Sequence, residues 1–152
     1  MAERKRVAAV CYRRNADEGL EFLLVRTRQN TRWTFPKGGL ESFDCVPSEG
    51  ARREALEEAG IDGVVDSSPL LTYRHRAHLG GDDFLDQVVE AYLLRVTGQI
   101  GQAEPGRQPT WFTRAAAAAA LAENQSADAD AAELRTVLDA AHDRLLTGPS
   151  GP

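Results

Sequence analysis

The segment from Pro47 to Gly60 constrains the fold most, because both of its ends carry helix signals. Proline suits the first position of a helix, where its missing N–H would have no intrahelical partner, and glycine commonly ends a helix. Inside the segment, the stretch REALEEAG places Glu54, Glu57 and Glu58 at spacings i, i+3 and i+4, which brings them onto one helix face. Like-charged pairs at such spacing destabilise an isolated helix by a few tenths of a kcal/mol each. This face therefore needs a compensating partner.

Length, composition and charge indicate an ordinary soluble protein. The chain has 152 residues, of which 42% are hydrophobic and 27% charged, and its formal net charge is −5. We expect one folded domain over residues 1–147 and a loose tail over residues 148–152. The acidic balance argues against a general nucleic-acid binder, which usually carries a basic surface.

The sequence does not predict a membrane or secreted protein. No apolar run approaches the roughly 20 residues that span a bilayer, and the apolar stretch near residue 7 is too short for a signal peptide. Cys11 and Cys45 have no metal-ligand spacing, and we expect them to be reduced thiols. These features predict a cytoplasmic protein that does not bind membranes.

The order of the predicted elements indicates an α/β fold with a mixed sheet covered by helices. Apolar, β-branched runs predict strands over residues 6–12, 20–28, 63–66, 70–79 and 84–98. Prolines and glycines predict a long irregular loop over residues 33–47 and a connector over residues 99–109. Helices are predicted over residues 47–59, 114–123 and 128–146.

Two interpretations of the glutamate face stay open at this point. Three carboxylates beside a glycine-rich loop suit a hard divalent cation, which prefers oxygen ligands. Magnesium or manganese would offset the repulsion between the carboxylates and could bind phosphate oxygens of a substrate. The alternative is a solvated acidic helix face, which is common on protein surfaces.

Here the chain resembles the Nudix hydrolase family, whose box has the form G-x5-E-x7-R-E-U-x-E-E-x-G-U, U being a bulky apolar residue. The second half of the box matches in the stretch from Arg53 to Ile61, with the small Ala55 at a U position. The first half departs from the box. Strict spacing begins at Gly39 and puts Cys45 at the first glutamate, whereas a start at Gly38 puts Asp44 there and needs one extra residue. We prefer the Asp44 alignment, because it keeps a carboxylate in the loop.

The resemblance implies a Nudix fold, an α/β/α sandwich, and hydrolysis of a nucleoside diphosphate linked to another group. It implies that Glu54, Glu57 and Glu58 hold one to three Mg²⁺ ions, with Mn²⁺ as an alternative, helped by the backbone carbonyl near Gly38. Arg53 would hold the glutamates in place by ion pairing. The general base would be a helix glutamate or an acid from a later loop.

Basic residues around the loop entry are candidates for phosphate binding. Arg26, Arg28 and Lys37 lie before the box, and arginine can pair with phosphate in a bidentate manner. Gly39 is a further substrate-binding candidate, because a glycine lets the backbone approach phosphates without a Cβ in the way. Ordinary surface charge is the alternative, and it is weakest for Lys37, which stands next to the box glycines.

Two further residues lie on later strands. Arg76 belongs to the alternating run YRHRAH, which predicts either a solvated strand face or a polyphosphate contact. Glu90 stands in the apolar run QVVEAYLL and is either an additional metal or base residue or a water-facing side chain.

The sequence thus predicts a Mg²⁺-dependent Nudix pyrophosphohydrolase. The stretch WTFPKGGLE resembles the branch that acts on dinucleoside polyphosphates and diphosphoinositol polyphosphates. The alternatives are a nucleoside triphosphate or ADP-ribose pyrophosphatase, or a Nudix-like module that binds a nucleotide without cleaving it. The expected partner is a small nucleotide or polyphosphate, and the sequence leaves a homodimer open.

Overall fold

The computed structural model describes residues 5–17, 19–27, 32–80, 83–123 and 128–147, with only the backbone at 76–80, 83–84 and 128–130. Within these ranges the strands are β1 (Arg6–Arg14), β2 (Leu20–Arg26), β3 (Trp33–Thr34), β4 (Lys37–Gly39), β5 (Ile61–Val65), β6 (Leu71–Gly80), β7 (Asp83–Gln99) and β8 (Thr110–Thr113). The helices are α1 (Pro47–Ala59), α2 (Arg114–Ala122) and α3 (Asp128–Thr147). The predicted tail at 148–152 lies outside the described residues.

The strands form one mixed sheet around β1. β1 pairs antiparallel with β2 and β4 and parallel with β7. β7 is long enough, at 17 residues, to pair also with β5 and β6 over different stretches. β8 pairs with β2, so the segment after the connector returns to the sheet.

Both faces of the sheet are buried. Successive side chains of a strand point to opposite sides, and the side chains on each side belong to a separate core. On one side Val7 and Ala9 belong to a core that includes Ala51 and Ala55 of α1. On the other side Ala8 and Val10 belong to a core that includes side chains of α2 and α3. Helices on both faces make an α/β/α sandwich, which confirms the predicted fold class.

Helix α1 has the predicted bounds, and its two ends follow from local chemistry. Val46 before it is extended, Pro47 opens it, and Gly60 ends it in the left-handed conformation at φ 73°. The N–H of Gly60 donates to the carbonyl of Leu56, which satisfies one of the last carbonyls of the helix. Gly60 leads directly into β5, so α1 is fixed against the sheet edge at its C-terminal end.

The structure differs from the sequence expectation in three short strands. β3 and β4 lie inside the segment predicted as an irregular loop, and β8 follows the predicted connector. Each is only two to four residues long and is formed by pairing with β1 or β2. Such segments carry too little periodicity to be recognised locally, because their pairing partners decide their conformation.

The other predicted elements form in the described residues, with ends that differ from the predicted ones by up to two residues. The predicted last helix forms α3, which buries Leu134, Val137, Leu138 and Ala141. No helix in the described part of the chain is long and apolar enough to cross a membrane.

Candidate active site

A polar cavity of about 620 Å³ opens between α1, β4 and the connector that precedes β8. Its acidic lining comes from Glu41, Glu54, Glu57, Glu58 and Glu104. Its basic lining comes from Arg6, Lys37, Arg53 and Arg107. The structure therefore brings the three box glutamates into one cavity together with four cationic side chains.

Two of the helix glutamates are buried against the glycine-rich strand. Glu54 and Glu58 are almost inaccessible to solvent, and the N–H of Lys37 in β4 lies 3.4 Å from Oε1 of Glu58. A Cβ built on Gly38 would overlap the carboxylate of Glu54, so any larger residue there would displace that carboxylate. Gly38 is required at this position because the helix carboxylate approaches the strand backbone so closely.

Burial disfavours the ionised form of Glu58. Desolvation is the main cause that raises the pKa of Glu58 well above its ordinary range, and the charge of Glu54 acts in the same direction. Arg107, with Nη2 3.5 Å from Oε2 of Glu58, opposes the shift. Two neighbouring carboxylates in a buried place need positive charge beside them to remain ionised.

Arg53 connects the loop to the helix face. Its Nε and Nη2 each donate to one oxygen of Asp44 at 3.0 Å, a bidentate pair. Its Nη1 donates to Glu54 at 2.9 Å and to Glu57 at 3.3 Å, and Nη2 also donates to the carbonyl of Gly39 at 3.1 Å. This geometry supports the prediction that Arg53 positions the glutamates rather than contacting substrate.

The two candidates for the first box glutamate occupy different environments. The side chain of Asp44 is 5% exposed, and besides Arg53 it accepts a hydrogen bond from the N–H of Glu41 at 2.8 Å. The hydrogen bond from Arg53 is the largest cause that lowers the pKa of Asp44. Cys45 is an exposed free thiol. The placement supports the Asp44 alignment, in which the carboxylate orients the loop through Arg53.

Lys37 and Gly39, the substrate-binding candidates next to the box, line the cavity. Arg26 is not among the lining residues, and its guanidinium lies 3.9 Å from the ring centre of Trp33. Arg28 lies outside the described residues. The cavity thus contains the candidates closest to the box and not Arg26.

Glu90 and Arg76, the candidates on later strands, are not among the described residues that line the cavity. Glu90 accepts a hydrogen bond from the hydroxyl of Tyr92 at 2.9 Å and forms an ion pair with Lys5 at 3.6 Å. Arg76 pairs with Asp86 through the backbone of β6 and β7, and its side chain lies outside the described part.

Sequence reasoning missed Arg107, which the connector places inside the cavity. Its side chain is 8% exposed and contacts Glu58, while its Nε donates to Glu104 at 2.7 Å and its Nη1 to the carbonyl of Arg26 at 3.1 Å. Positive φ angles flank it, 83° at Gly106 and 47° at Gln108. The dipeptide Pro-Gly before it marks a turn, but no local pattern shows where that turn points.

Sequence reasoning also missed an aromatic side chain at the cavity edge. Phe43 is 67% exposed, lines the cavity, and has its ring centre 5.5 Å from the guanidinium carbon of Arg53. An exposed phenylalanine in a polar loop gives little signal in sequence, since single exposed apolar residues are common.

The donor set of the cavity fits a hard divalent cation. Among the described residues, no three His, Cys, Asp or Glu side chains stand together as a preformed metal site. The contacts give the reason, because Glu54 and Glu57 turn towards Arg53 and Glu58 faces Arg107. The available ligands are all oxygens, on carboxylates beside a glycine-rich backbone, which is the chemistry that Mg²⁺ and Mn²⁺ prefer.

The fold and the cavity together define a class of protein: an α/β/α sandwich in which a glutamate-bearing helix packs beside a glycine-rich strand. The NUDIX domain family matches residues 4–134, which is more than half of the chain, so the chain belongs to this family. The family predicted from the sequence is thereby confirmed.

Individual relatives match over shorter stretches. Nudix hydrolase 12, mitochondrial, of Arabidopsis thaliana is 41% identical over 58 residues, which are 38% of this chain and 28% of the relative. Human diphosphoinositol polyphosphate phosphohydrolase 3-alpha is 41% identical over 61 residues, which are 40% of this chain and 35% of the relative. The match therefore spans about a third of the length of these curated relatives.

Solved structures match over nearly the whole chain. A C. elegans Ap4A hydrolase binary complex superposes with a TM-score of 0.72 at 22% identity, covering 95% of this chain and 99% of that one. At this identity the likeness establishes the fold.

Proposed function

We propose that the protein is a Mg²⁺-dependent pyrophosphohydrolase that cleaves a diphosphate linkage in a nucleoside diphosphate linked to another group. The observation that carries the proposal is the pair of buried carboxylates, Glu54 and Glu58, packed against Gly38 in a cavity that also exposes Glu57. Membership of the family and the hydrolase relatives support an enzyme acting on phosphoric anhydride bonds. A solvated acidic face would not bury two of its three carboxylates.

The proposed roles separate the cation ligands from the residues that orient them. Glu54, Glu57 and Glu58 would hold the cation, with Mn²⁺ as a substitute for Mg²⁺ and the carbonyl of Gly38 as a further oxygen ligand. A bound divalent cation supplies positive charge for the diphosphate and makes a nearby water more acidic. Arg53 keeps Glu54 and Glu57 oriented, and Asp44 keeps Arg53 oriented.

Two kinds of carboxylate that line the cavity are candidates for the general base. The helix glutamates are one kind, and Glu57 is the most accessible of them, with 52% of its side chain exposed. Glu104 is the acid from a later connector, and its carboxylate accepts the hydrogen bond from Arg107. A general base must reach the water that it deprotonates, and Glu57 meets this requirement without breaking a buried ion pair.

Dinucleoside polyphosphates or diphosphoinositol polyphosphates are the substrate classes that we propose. The named activities of the Ap4A hydrolase and of the diphosphoinositol relative support this choice. The cationic lining supports it too, since Lys37 lies next to the carboxylate face and can meet phosphate oxygens. A cytoplasmic location, a single domain over residues 1–147 and a homodimer stay predictions.

The test is product release from a panel of nucleotides and inositol polyphosphates with and without Mg²⁺. We expect cleavage only with the cation, and we expect Glu57→Gln and Glu58→Gln to lower kcat at least about a hundredfold, which corresponds to roughly 2.7 kcal/mol. Glu49→Gln is the matched control, because Glu49 is an exposed glutamate of the same helix that pairs with Arg52 outside the cavity.

The panel also separates the enzyme from a module that only binds nucleotides. Such a module would bind panel members in calorimetry and release no product at any Mg²⁺ concentration. Near-normal kcat in Glu57→Gln or Glu58→Gln would remove that residue from the assignment.

A further inference from the structure

Phe43 is the one lining residue whose side chain neither a cation nor a phosphate would use. The other described residues that line the cavity are charged residues, threonines and glycines. Phe43 is 67% exposed, more than any other large apolar side chain in the described part of the chain. Leaving so much apolar surface in water is unfavourable. Its position in the cavity therefore points to a ligand that covers it.

The turn that carries Phe43 is fixed to helix α1. The N–H of Asp44 donates to the carbonyl of Glu41 at 3.0 Å, which closes a four-residue turn with Phe43 at its third position. The N–H of Glu41 in turn donates to the carboxylate of Asp44 at 2.8 Å. Arg53 of α1 binds that carboxylate by two hydrogen bonds of 3.0 Å. The backbone that presents Phe43 is thus held at both ends of the turn.

The same loop buries a different apolar side chain. Leu40 packs against the core on the α1 side. It lies so close to Gly50 of α1 that a Cβ built on this glycine would overlap it. The loop therefore packs one of its apolar side chains on the helix and turns Phe43 towards the cavity.

The ring of Phe43 has one face against a cation and the other open. The guanidinium carbon of Arg53 lies over the ring, 5.5 Å from its centre, within the range of a cation–π contact. Because most of the side chain is exposed, the opposite face is accessible to a ligand. Aromatic rings stack favourably in offset arrangements, beyond the effect of the area that they bury. A planar aromatic group is the ligand that fits this face.

Arg53 also relates the ring to the carboxylates. Its Nη1 lies 2.9 Å from Glu54 and 3.3 Å from Glu57, so a single side chain connects Phe43 to the proposed cation ligands. In a nucleotide only the ribose lies between the base and the first phosphate. A nucleotide with its phosphates at the carboxylates can therefore place its base on Phe43. An inositol ring is saturated and offers no aromatic face.

We propose that Phe43 is a stacking platform for a nucleobase of the substrate. The substrate is accordingly a nucleoside polyphosphate and not a diphosphoinositol polyphosphate. The inference rests on the proposed function and chooses between its two substrate classes. Every base has an aromatic face, so stacking on Phe43 selects nucleosides as a class without discriminating between bases.

Steady-state kinetics of three Phe43 variants test the platform. For diadenosine tetraphosphate we expect Phe43→Ala to raise KM about tenfold, with kcat within about threefold, because stacking acts on binding. Phe43→Leu keeps apolar bulk without an aromatic face and should raise KM similarly. Phe43→Trp keeps the face and should hold KM within about twofold of the wild-type value. Equal KM values in Phe43→Ala and the wild-type protein would overturn the platform.

A diphosphoinositol polyphosphate provides the base-free comparison. We expect the wild-type protein to cleave diadenosine tetraphosphate with a kcat/KM at least about tenfold higher. A higher kcat/KM for the inositol substrate would overturn the choice of substrate class and leave the hydrolase proposal intact.

Ile100→Ala is the matched control, because Ile100 is 62% exposed and is not among the residues that line the cavity. It should leave the KM for diadenosine tetraphosphate unchanged. A rise as large as that of Phe43→Ala would show an unspecific effect of removing exposed apolar surface and would overturn the platform.

The fluorescence of Phe43→Trp tests stacking without turnover. ATP and inorganic tripolyphosphate carry the same number of phosphates and differ by the nucleoside. Adenine stacked on the added indole should quench its emission, measured as the difference from the wild-type protein, which contains Trp33 and Trp111. We expect ATP to quench this emission at least about twofold and tripolyphosphate to leave it unchanged. Equal quenching by both ligands, or by neither, would overturn the platform.

The two proposals fail in different ways. Quenching by ATP in a protein that cleaves no member of the substrate panel would support the platform and contradict the hydrolase. Normal cleavage of diadenosine tetraphosphate by Phe43→Trp without any quenching would contradict the platform and support the hydrolase.

Discussion

At the scale of single residues, Arg53 connects the loop to the helix glutamates although the first half of the box departs from the family form. Its guanidinium joins Asp44 in the loop to Glu54 and Glu57 on the helix. The pairing with Asp44 is bidentate and largely excluded from solvent, which makes it stronger than an exposed ion pair. In the alignment with one extra loop residue, Asp44 is the carboxylate that pairs with Arg53.

Substitutions at positions 44 and 45 test this arrangement. Asp44→Asn should lower kcat/KM about tenfold, roughly 1.4 kcal/mol, because Arg53 loses its charged partner and orients the glutamates less well. Cys45→Ser should be nearly silent, since the thiol is exposed. Kinetics at saturating and limiting Mg²⁺ provide the measurement. A silent Asp44→Asn, together with full or higher activity in Cys45→Glu, would favour the strict spacing instead.

Gly38 offers a second test at this scale. The Cβ of Gly38→Ala would displace the carboxylate of Glu54, which is the flexible end of a side chain, so activity should suffer more than stability. We expect kcat to fall about tenfold or more, by misplacement of a cation ligand, while the melting temperature changes by only a few degrees. Gly98→Ala is the control, because a Cβ there would meet no atom within 4 Å. Equal kcat in the two variants would contradict the assignment of Glu54.

At the scale of elements, an ion pair fastens helix α1 to the strand that follows it. Arg52 donates from Nε to Asp62 in β5 at 2.6 Å and from Nη2 at 2.9 Å. The hydrogen bond from Arg52 is the largest cause that lowers the pKa of Asp62. Together with Gly60, this pair fixes the direction in which α1 leaves the sheet and so the position of its glutamate face.

The stability of this junction should depend on pH in a defined direction. A carboxyl group with a lowered folded-state pKa stabilises the fold above its unfolded pKa, about 3.9, and the contribution is lost as pH falls through the folded-state value. Asp62→Asn should therefore lower the melting temperature at pH 7 by a few degrees, corresponding to about 1 kcal/mol for a partly exposed pair. The difference from the wild-type protein should shrink below about pH 4. Thermal melts from pH 3 to 8 would show it, and a constant difference would exclude an electrostatic origin.

At the scale of the whole molecule, the cavity lies where segments distant in sequence meet. β1 contributes Arg6, β4 contributes Lys37, α1 contributes the carboxylates, and the connector contributes Arg107. Anything that binds across these segments stabilises the folded state, because the unfolded chain does not assemble the site.

Magnesium should therefore have two effects on the intact protein. Its addition should raise the melting temperature, and its removal with excess EDTA should abolish hydrolysis. The rate should rise from weakly acidic towards alkaline pH, because ionised carboxylates bind the cation and an acidified water supplies the nucleophile. Sodium chloride at the same ionic strength controls for unspecific ion effects on melting. Full activity in excess EDTA would contradict cation-dependent hydrolysis.

The sequence by itself determined the features that depend on local chemistry. Pro47 and Gly60 set the bounds of α1, the spacing of the glutamates set their common face, and apolar runs predicted the long strands. These features depend on residues close together in the chain, so they can be predicted without knowledge of the fold.

The tertiary structure alone decided the rest. β4 is a strand only because β1 pairs with it, and that pairing places Gly38 against Glu54 and Gly39 opposite Arg6. Arg107 reaches Glu58 because the connector turns back into the cavity. Such contacts join segments far apart in the chain, and their register is set by packing and pairing across the whole sheet, which local propensity does not contain.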